Sequence, residues 1–304
     1  MNKGTPTPLL LRSMLFVPGD SEKKLEKGAA LPADALVLDL EDSVAPARKP
    51  HARELVTEFL AQRRSAAHSL WVRINPLGTM ECSADIAHVM AARPDGIVLP
   101  KAGSAGDVVE LGRWLEEYEQ RFGIAVGATR IMPIATETAA AVLTLESYLR
   151  CGRRLGAMTW GAEDLCVALG ATTNVDDRGE WLPPYELARS LCLLAAGAAG
   201  VPAIDTVYTK LGDAAGLARQ ATAAARDGFS GKLAIHPEQI ETLNRAFLPT
   251  REEVDRARRV VAAFEAANTG VVVLDGRMLD RPHLLRARRV LGLADLVKEY
   301  AAAS

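Results

Sequence analysis

The chain repeats one pattern: a short apolar run, a polar break, then a longer amphipathic stretch. The apolar runs cover residues 13–17, 35–40, 70–74, 96–99, 130–135, 157–160, 204–208 and 232–235. Most are continuously apolar rather than alternating, as strands covered on both faces should be. Helical periodicity fills most of the gaps, at residues 21–31, 49–63, 83–92, 105–122, 138–151, 185–199 and 213–226. Eight strands alternating with helices predict an α/β fold, a (β/α)8 TIM barrel. A doubly wound sheet is the alternative, but no G-x-G-x-x-G follows the first strand. The barrel is expected over residues 1–240, and residues 241–304 form a C-terminal helical and hairpin extension. That extension reads as a helix at 251–267, a hairpin turning at Asp275-Gly276-Arg277 and a last helix. It would pack on its own barrel or on a neighbouring subunit.

Composition narrows the partners. With 36 Lys and Arg against 38 Asp and Glu, the net charge is −2 and the signs are interspersed. No polybasic surface points to nucleic acid or to an acidic membrane. The longest uncharged run, residues 190–204, falls short of the roughly 18–20 residues a membrane span requires. The N-terminal Leu9-Leu10-Leu11 is cut off by Arg12 too soon for a signal peptide. Cys82, Cys151, Cys166 and Cys192 lack both C-x-x-C pairing and metal-ligand spacing, so reduced thiols in a cytoplasmic protein are expected.

In a barrel of this kind the chemistry gathers at the C-terminal ends of the strands. Those exits read Pro18-Gly19-Asp20, Glu41-Asp42-Ser43, Asn75-Pro76, Pro100-Lys101, Thr136-Glu137-Thr138, Gly161-Ala162-Glu163-Asp164, Thr209-Lys210 and His236-Pro237. Glu137 and Asp164 leave successive strands, close enough to share a divalent cation. One or two carboxylates completed by water and substrate describe a Mg²⁺ site. The alternative is that both acids cap helices or sit in first turns, where the helix dipole favours them. Arg73 lies in an otherwise apolar strand, so it must be paired. It suits a substrate carboxylate, or an internal ion pair with Asp39 or Glu41. Glu41 and Asp42 are candidate catalytic acids that can also bond metal-bound water or partner Arg73 and Lys101. Lys101 is a candidate substrate contact; acidic neighbours would keep it charged rather than free to form a Schiff base. Arg12, at a strand entrance, is a weaker candidate for substrate binding. His236 is open between general acid and helix cap. The polar stretch 175–184 is long enough to cover the mouth.

Seven motifs in order resemble the HpcH/HpaI aldolase and citrate lyase family, in its CitE-like branch. They are Arg12-Ser13-Met14-Leu15-Phe16-Val17-Pro18-Gly19, Asp39-Leu40-Glu41-Asp42-Ser43-Val44, Val72-Arg73-Ile74-Asn75, Leu99-Pro100-Lys101, Glu137-Thr138-Ala139, Gly161-Ala162-Glu163-Asp164-Leu165 and Ile235-His236-Pro237-Glu238-Gln239. Residues 275–282 resemble the family's tail, with Leu279 where isoleucine is common. The resemblance implies a Mg²⁺-dependent barrel acting on carbon–carbon bonds of malyl-, citramalyl- or citryl-type thioesters. It implies Glu137 and Asp164 as metal ligands, Arg73 as the keto-acid clamp, and Asp280 as an acid–base group entering a neighbouring subunit's site. The expected partners are an acyl-CoA thioester and a keto acid, in a homo-oligomer (trimer or hexamer). Two other outcomes fit the same residues: malyl-CoA thioesterase or malate-synthase-like activity, and a non-catalytic subunit of a citrate lyase complex. No motif reads as the thioester surface, so free coenzyme A and a carrier-protein thioester are both open.

Overall fold

The structure is a computed structural model that describes residues 10–63, 68–267 and 269–303, with side chains to residue 300. The N-terminal apolar run is therefore described only from Leu10. In chain order the elements are β1 (Ser13–Pro18), α1 (Glu22–Ala29), β2 (Ala35–Asp39), α2 (Lys49–Gln62), β3 (Ser69–Arg73), α3 (Met80–Val89), β4 (Gly96–Leu99) and α4 (Ala105–Arg121). They continue with β5 (Arg130–Pro133), α5 (Ala139–Leu143), β6 (Met158–Thr159), α6 (Ala162–Ala168), α7 (Pro183–Ala199), β7 (Ala203–Asp205), α8 (Ala214–Asp227), β8 (Gly231–Ala234) and α9 (Gln239–Ala246). All neighbouring strands pair in parallel, in the order β5-β4-β3-β2-β1-β8-β7-β6. Isolated parallel bridges, Ile131 to Leu155 and Ile134 to Thr159, join β5 to β6. The sheet thus closes into the expected barrel. Strands β2 and β4 are buried along their whole length, which is why their sequences are apolar without alternation.

Two departures from the periodicity have local causes. The stretch expected as one helix over 138–151 breaks into α5 and a 3₁₀ turn, Leu145–Arg150. At the break, the Thr144 hydroxyl donates to the carbonyls of Gly103 (2.6 Å) and Ala141 (3.0 Å), competing with the helix for its own acceptors. Helices α6 and α9 lie outside the stretches of helical periodicity; only the cap and first-turn readings of Asp164 and His236 point to them.

The contacts divide the chain into two compact units. The barrel unit runs from Leu11 to Ala246 rather than ending at 240. Helix α9 is anchored to it through Asn244, whose side chain accepts from Ser13 Oγ (2.7 Å) and donates to the Pro32 carbonyl (2.6 Å). The second unit holds α10 (Arg251–Ala267), β9 (Val271–Leu274), β10 (Arg277–Asp280) and α11 (Arg281–Ala303). Its own core joins Val260 and Phe264 of α10 to Val272, Leu279 and Ala287. Among the described residues no helix is long and apolar enough to cross a membrane.

Candidate active site

Parallel strands all deliver their C-terminal ends to one mouth, so residues far apart in sequence meet there. The first meeting is between β2 and β3, where Asp39 pairs in register with Arg73. Arg73 Nε and Nη2 donate to the two Asp39 oxygens at 2.7 and 2.6 Å, a planar fork on a carboxylate. Its Nη1 lies 3.0 Å from Glu41 Oε2, and its guanidinium sits over the Phe16 ring at 4.6 Å. Burial would raise the Asp39 carboxyl, but Arg73 and the amides of Glu41 and Ser43 outweigh it and hold Asp39 below its ordinary value. Arg73 itself is raised, since its acidic partners outweigh its burial. The ion pair with Asp39 and Glu41 is therefore formed. It uses only part of the five-donor guanidinium, which still lines a cavity.

The second meeting centres on Lys101. Its backbone is in the left-handed region, φ 52°, costly for a residue with a side chain and a mark of functional sites. That conformation lets its amide donate to Glu137 Oε2 while its ammonium goes to Glu41, to Asp42 at 3.4 Å and to Asp164 at 3.8 Å. Burial favours the neutral amine, but Glu41, Asp42 and Glu137 prevail and keep Lys101 protonated. These contacts make Lys101 a charge partner of the surrounding acids.

Glu137 is buried and precedes the helix that the alternative reading has it cap. Thr138 is the cap of α5, its hydroxyl accepting from the Ala141 amide at 3.1 Å. Burial, with the negative charges of Asp164 and Glu41, pushes Glu137 up to about 8 despite the Lys101 amide and charge. Asp164 lies in the first turn of α6, half-exposed toward the same mouth. Gly161, the residue capping α6, lets the two acids approach: a Cβ there would stand 2.8 Å from Glu137 Cγ. Glu41 is also buried and raised, by burial first, against the lowering pull of Arg73 and Lys101.

Five carboxylates (Asp39, Glu41, Asp42, Glu137 and Asp164) thus form one network with two cations, Arg73 and Lys101. Among the described residues no group of three or more His, Cys, Asp or Glu converges on one ion position. Hard oxygen donors and an excess of negative charge fit a divalent cation that takes two protein ligands and fills its shell with water or substrate. The mouth holds a cavity of about 300 Å³ with Arg73, Asp39, Glu137 and Asp164 on its polar side. Its apolar side is Phe16, Ile134, Trp160, Val207, Leu233 and Ile235.

Not every candidate is brought here. Arg12 lies at the start of β1, where its guanidinium and backbone amide bind Asp34, just before β2, at 2.7–2.8 Å. That is the opposite end of the barrel from the mouth, and there Arg12 forms an ion pair with Asp34. Asp280 belongs to the C-terminal unit, where its Oδ1 lies 2.5 Å from His283 Nδ1. His236 Nδ1 accepts from the Glu238 amide at 3.4 Å, a local turn contact. Phe16, Trp160 and Val207 line the mouth without being candidates from the sequence. Phe16 stood within a quoted motif, but nothing local signals a ring beneath an arginine two strands away.

The sequence profile of the HpcH/HpaI aldolase/citrate lyase family matches residues 12–237. The chain belongs to that family. A second profile, for carbon–carbon bond lyases of the TIM-barrel fold, matches residues 195–297 and so reaches the C-terminal unit. The citrate lyase subunit beta of Leuconostoc mesenteroides is 38% identical over 94% of each chain. The (3S)-malyl-CoA thioesterase of Cereibacter sphaeroides is 33% identical over 96% of this chain and 97% of its own. Among solved structures, the CitE protein of Mycobacterium tuberculosis in complex with magnesium, acetoacetate and coenzyme A is similar at a TM-score of 0.76. It is 34% identical, over 93% of this chain and 97% of that one. The chain is an enzyme of the citrate lyase beta-subunit-like, coenzyme A-related lyases.

Proposed function

We propose that this enzyme is a Mg²⁺-dependent lyase that cleaves, or forms, a short 3-hydroxyacyl-CoA thioester of the malyl, citramalyl or citryl type. The products would be a smaller acyl-CoA and a keto acid. The observation that carries the reading is the excess of buried and half-buried carboxylate over Arg73 and Lys101 at one barrel mouth. Glu137 and Asp164 would hold the ion, which when bound supplies charge stabilisation at the keto-acid oxygen. The solved relative bound to magnesium, acetoacetate and coenzyme A supports a magnesium ion in this family.

The chain's own residues account for the rest. Arg73, fixed by Asp39, offers its remaining donors to the keto-acid carboxylate and so aligns the bond to be broken. Lys101 keeps Glu41, Asp42 and Asp164 close without a net repulsion that would open the mouth. The apolar wall of Trp160, Val207 and Leu233 excludes water from the reacting carbon. Asp280 of a neighbouring subunit would move the proton, with Glu41 and Asp42 as nearer acids. The proposal includes a homo-oligomer, trimer or hexamer, for that reason. A thioesterase outcome is the second reading, supported by the Cereibacter relative. Incubation with Mg²⁺ and a panel of hydroxyacyl-CoA esters, with products identified by mass spectrometry, tests both. Acyl-CoA plus keto acid supports the lyase; free coenzyme A plus intact hydroxy acid supports hydrolysis; no product with any ester overturns both.

A further inference from the structure

One wall of the mouth is held by residues that do not reach the cavity's acids. Trp160 follows β6, is fully buried and lines the cavity. Its indole Nε1–H donates to Asp205 Oδ1 at 2.7 Å. Asp205 ends β7 and is itself buried; its Oδ2 accepts from the buried Lys232 of β8 at 2.7 Å. Arg189 Nε of α7 lies 3.4 Å from Oδ1, and Arg189 goes on to Asp227 at 2.7 Å and over the Phe229 ring at 4.6 Å. The indole is therefore tied to two strands and a helix by a network inside the barrel wall.

Its other face is held from outside. Residues 173–182 form a small hairpin, closed by the Val175–Trp181 bridge and by Asp176 Oδ1, which accepts from the amides of Arg178 and Glu180 at 2.9 Å. Trp181 meets Trp160 edge to face, ring centroids 4.9 Å apart at 74°. Asn174 donates to Glu163 at 2.8 Å, fixing the hairpin beside Asp164.

We infer that Asp205 and Trp181 are positioning residues for the mouth: from two sides they fix the Trp160 indole, the wall against which the keto acid is seated. The inference rests on the reading of this cavity as the keto-acid site, and its test separates the two. Asp205→Ala alone would strand the Lys232 charge and could prevent folding, so both diagnostic variants also carry Lys232→Met. In D205N/K232M the amide oxygen still accepts the indole N–H; in D205A/K232M nothing does. Both lack the Lys232 ion pair, so its loss affects them alike.

The decisive readout is hydrogen exchange of the ¹⁵N-labelled Trp160 indole N–H, assigned by its loss in W160F. Exchange should stay slow in D205N/K232M, accelerate at least tenfold in D205A/K232M, and accelerate in W181A. Steady-state kinetics in the condensation direction should show the keto-acid KM raised about tenfold in D205A/K232M and W181A, rescued in D205N/K232M, with the acyl-CoA KM unchanged. Equal exchange in the two double variants overturns the inference, as does equal loss for both substrates. A wild-type protein that turns over no thioester sinks the lyase reading, while the exchange data still decide whether Asp205 and Trp181 hold the indole.

Discussion

At the scale of single residues, the mouth is governed by charge that burial makes expensive. Glu137 shows this most directly, because its folded pKa of about 8 stands well above its ordinary 4.5. Between those values the folded metal-free protein holds a proton that the unfolded chain has lost. Stability is thus fully present below about 4.5 and drains away as pH rises through about 8. Urea denaturation in a chelator should show this decline, and Glu137→Gln should flatten it, since glutamine never ionises. The same variant should lose turnover and at least tenfold in Mg²⁺ affinity by calorimetry, as should Asp164→Asn. Unchanged affinity in both variants would rule out the two-carboxylate site. Arg73→Lys keeps the charge but loses the fork that Asp39 engages, so it should raise the keto-acid KM about tenfold or more, with less effect on acyl-CoA. Equal losses for the two substrates would instead assign Arg73 to holding the barrel together.

Elements meet where glycine permits it. Gly231 opens β8 against the lead-in to β1, and the Lys232 amide donates to the Arg12 carbonyl at 3.0 Å just beside it. A Cβ at 231 would lie 1.7 Å from the Leu11 carbonyl oxygen, a backbone atom that cannot rotate aside. Gly231→Ala should therefore cost at or above the top of the roughly 1–3 kcal/mol range for overpacking. For a unit of this size that is a fall in Tm of about 6–12 °C, read by calorimetry. A Tm within about 2 °C of wild type would mean that β8 does not start where the register puts it. The closure of β5 on β6 is the contrasting case. Strand β6 is only Met158–Thr159, and on the β5 side it has isolated bridges alone, so this seam relies on backbone bonds such as Ala135 N to Thr159 O at 2.9 Å.

For the whole molecule the question is whether one chain makes a complete site. The tail unit has its own core and carries Asp280, with His283 beside it, on a short hairpin. We propose that Asp280 serves the barrel of a neighbouring subunit. Homo-oligomers of Glu137→Gln and of Asp280→Asn would then both be inactive. Co-expressed in equal amounts and assorting at random in a closed oligomer, about a quarter of sites would combine an intact barrel with an intact tail. Activity should reappear to about that fraction of wild type. A mixture that remains inactive, although mass spectrometry finds both variants in one oligomer, would show that sites are not shared.

The sequence by itself determined the strand count, the parallel closed sheet, the helices long enough to show a period, and the family. Each depends on patterns that recur within ten or twenty residues, or on ordered motifs that survive as text. It also named the acids and bases of the mouth, since strand polarity says which end carries chemistry. Tertiary structure decided which of those groups touch. Arg73 meets Asp39 because β2 and β3 pair in that register, and Lys101 reaches Glu41 across sixty residues because parallel strands end together. The polarity rule already placed Arg12 at the wrong end; only the fold supplied its partner, Asp34. Nothing local marks Trp160, Asp205 and Lys232 as one unit either, for they lie in three separate stretches of the chain. Hydrophobic periodicity records only which face of an element is covered. Ion pairs and ring contacts depend on register and on distance through space, and those exist only once the barrel has closed.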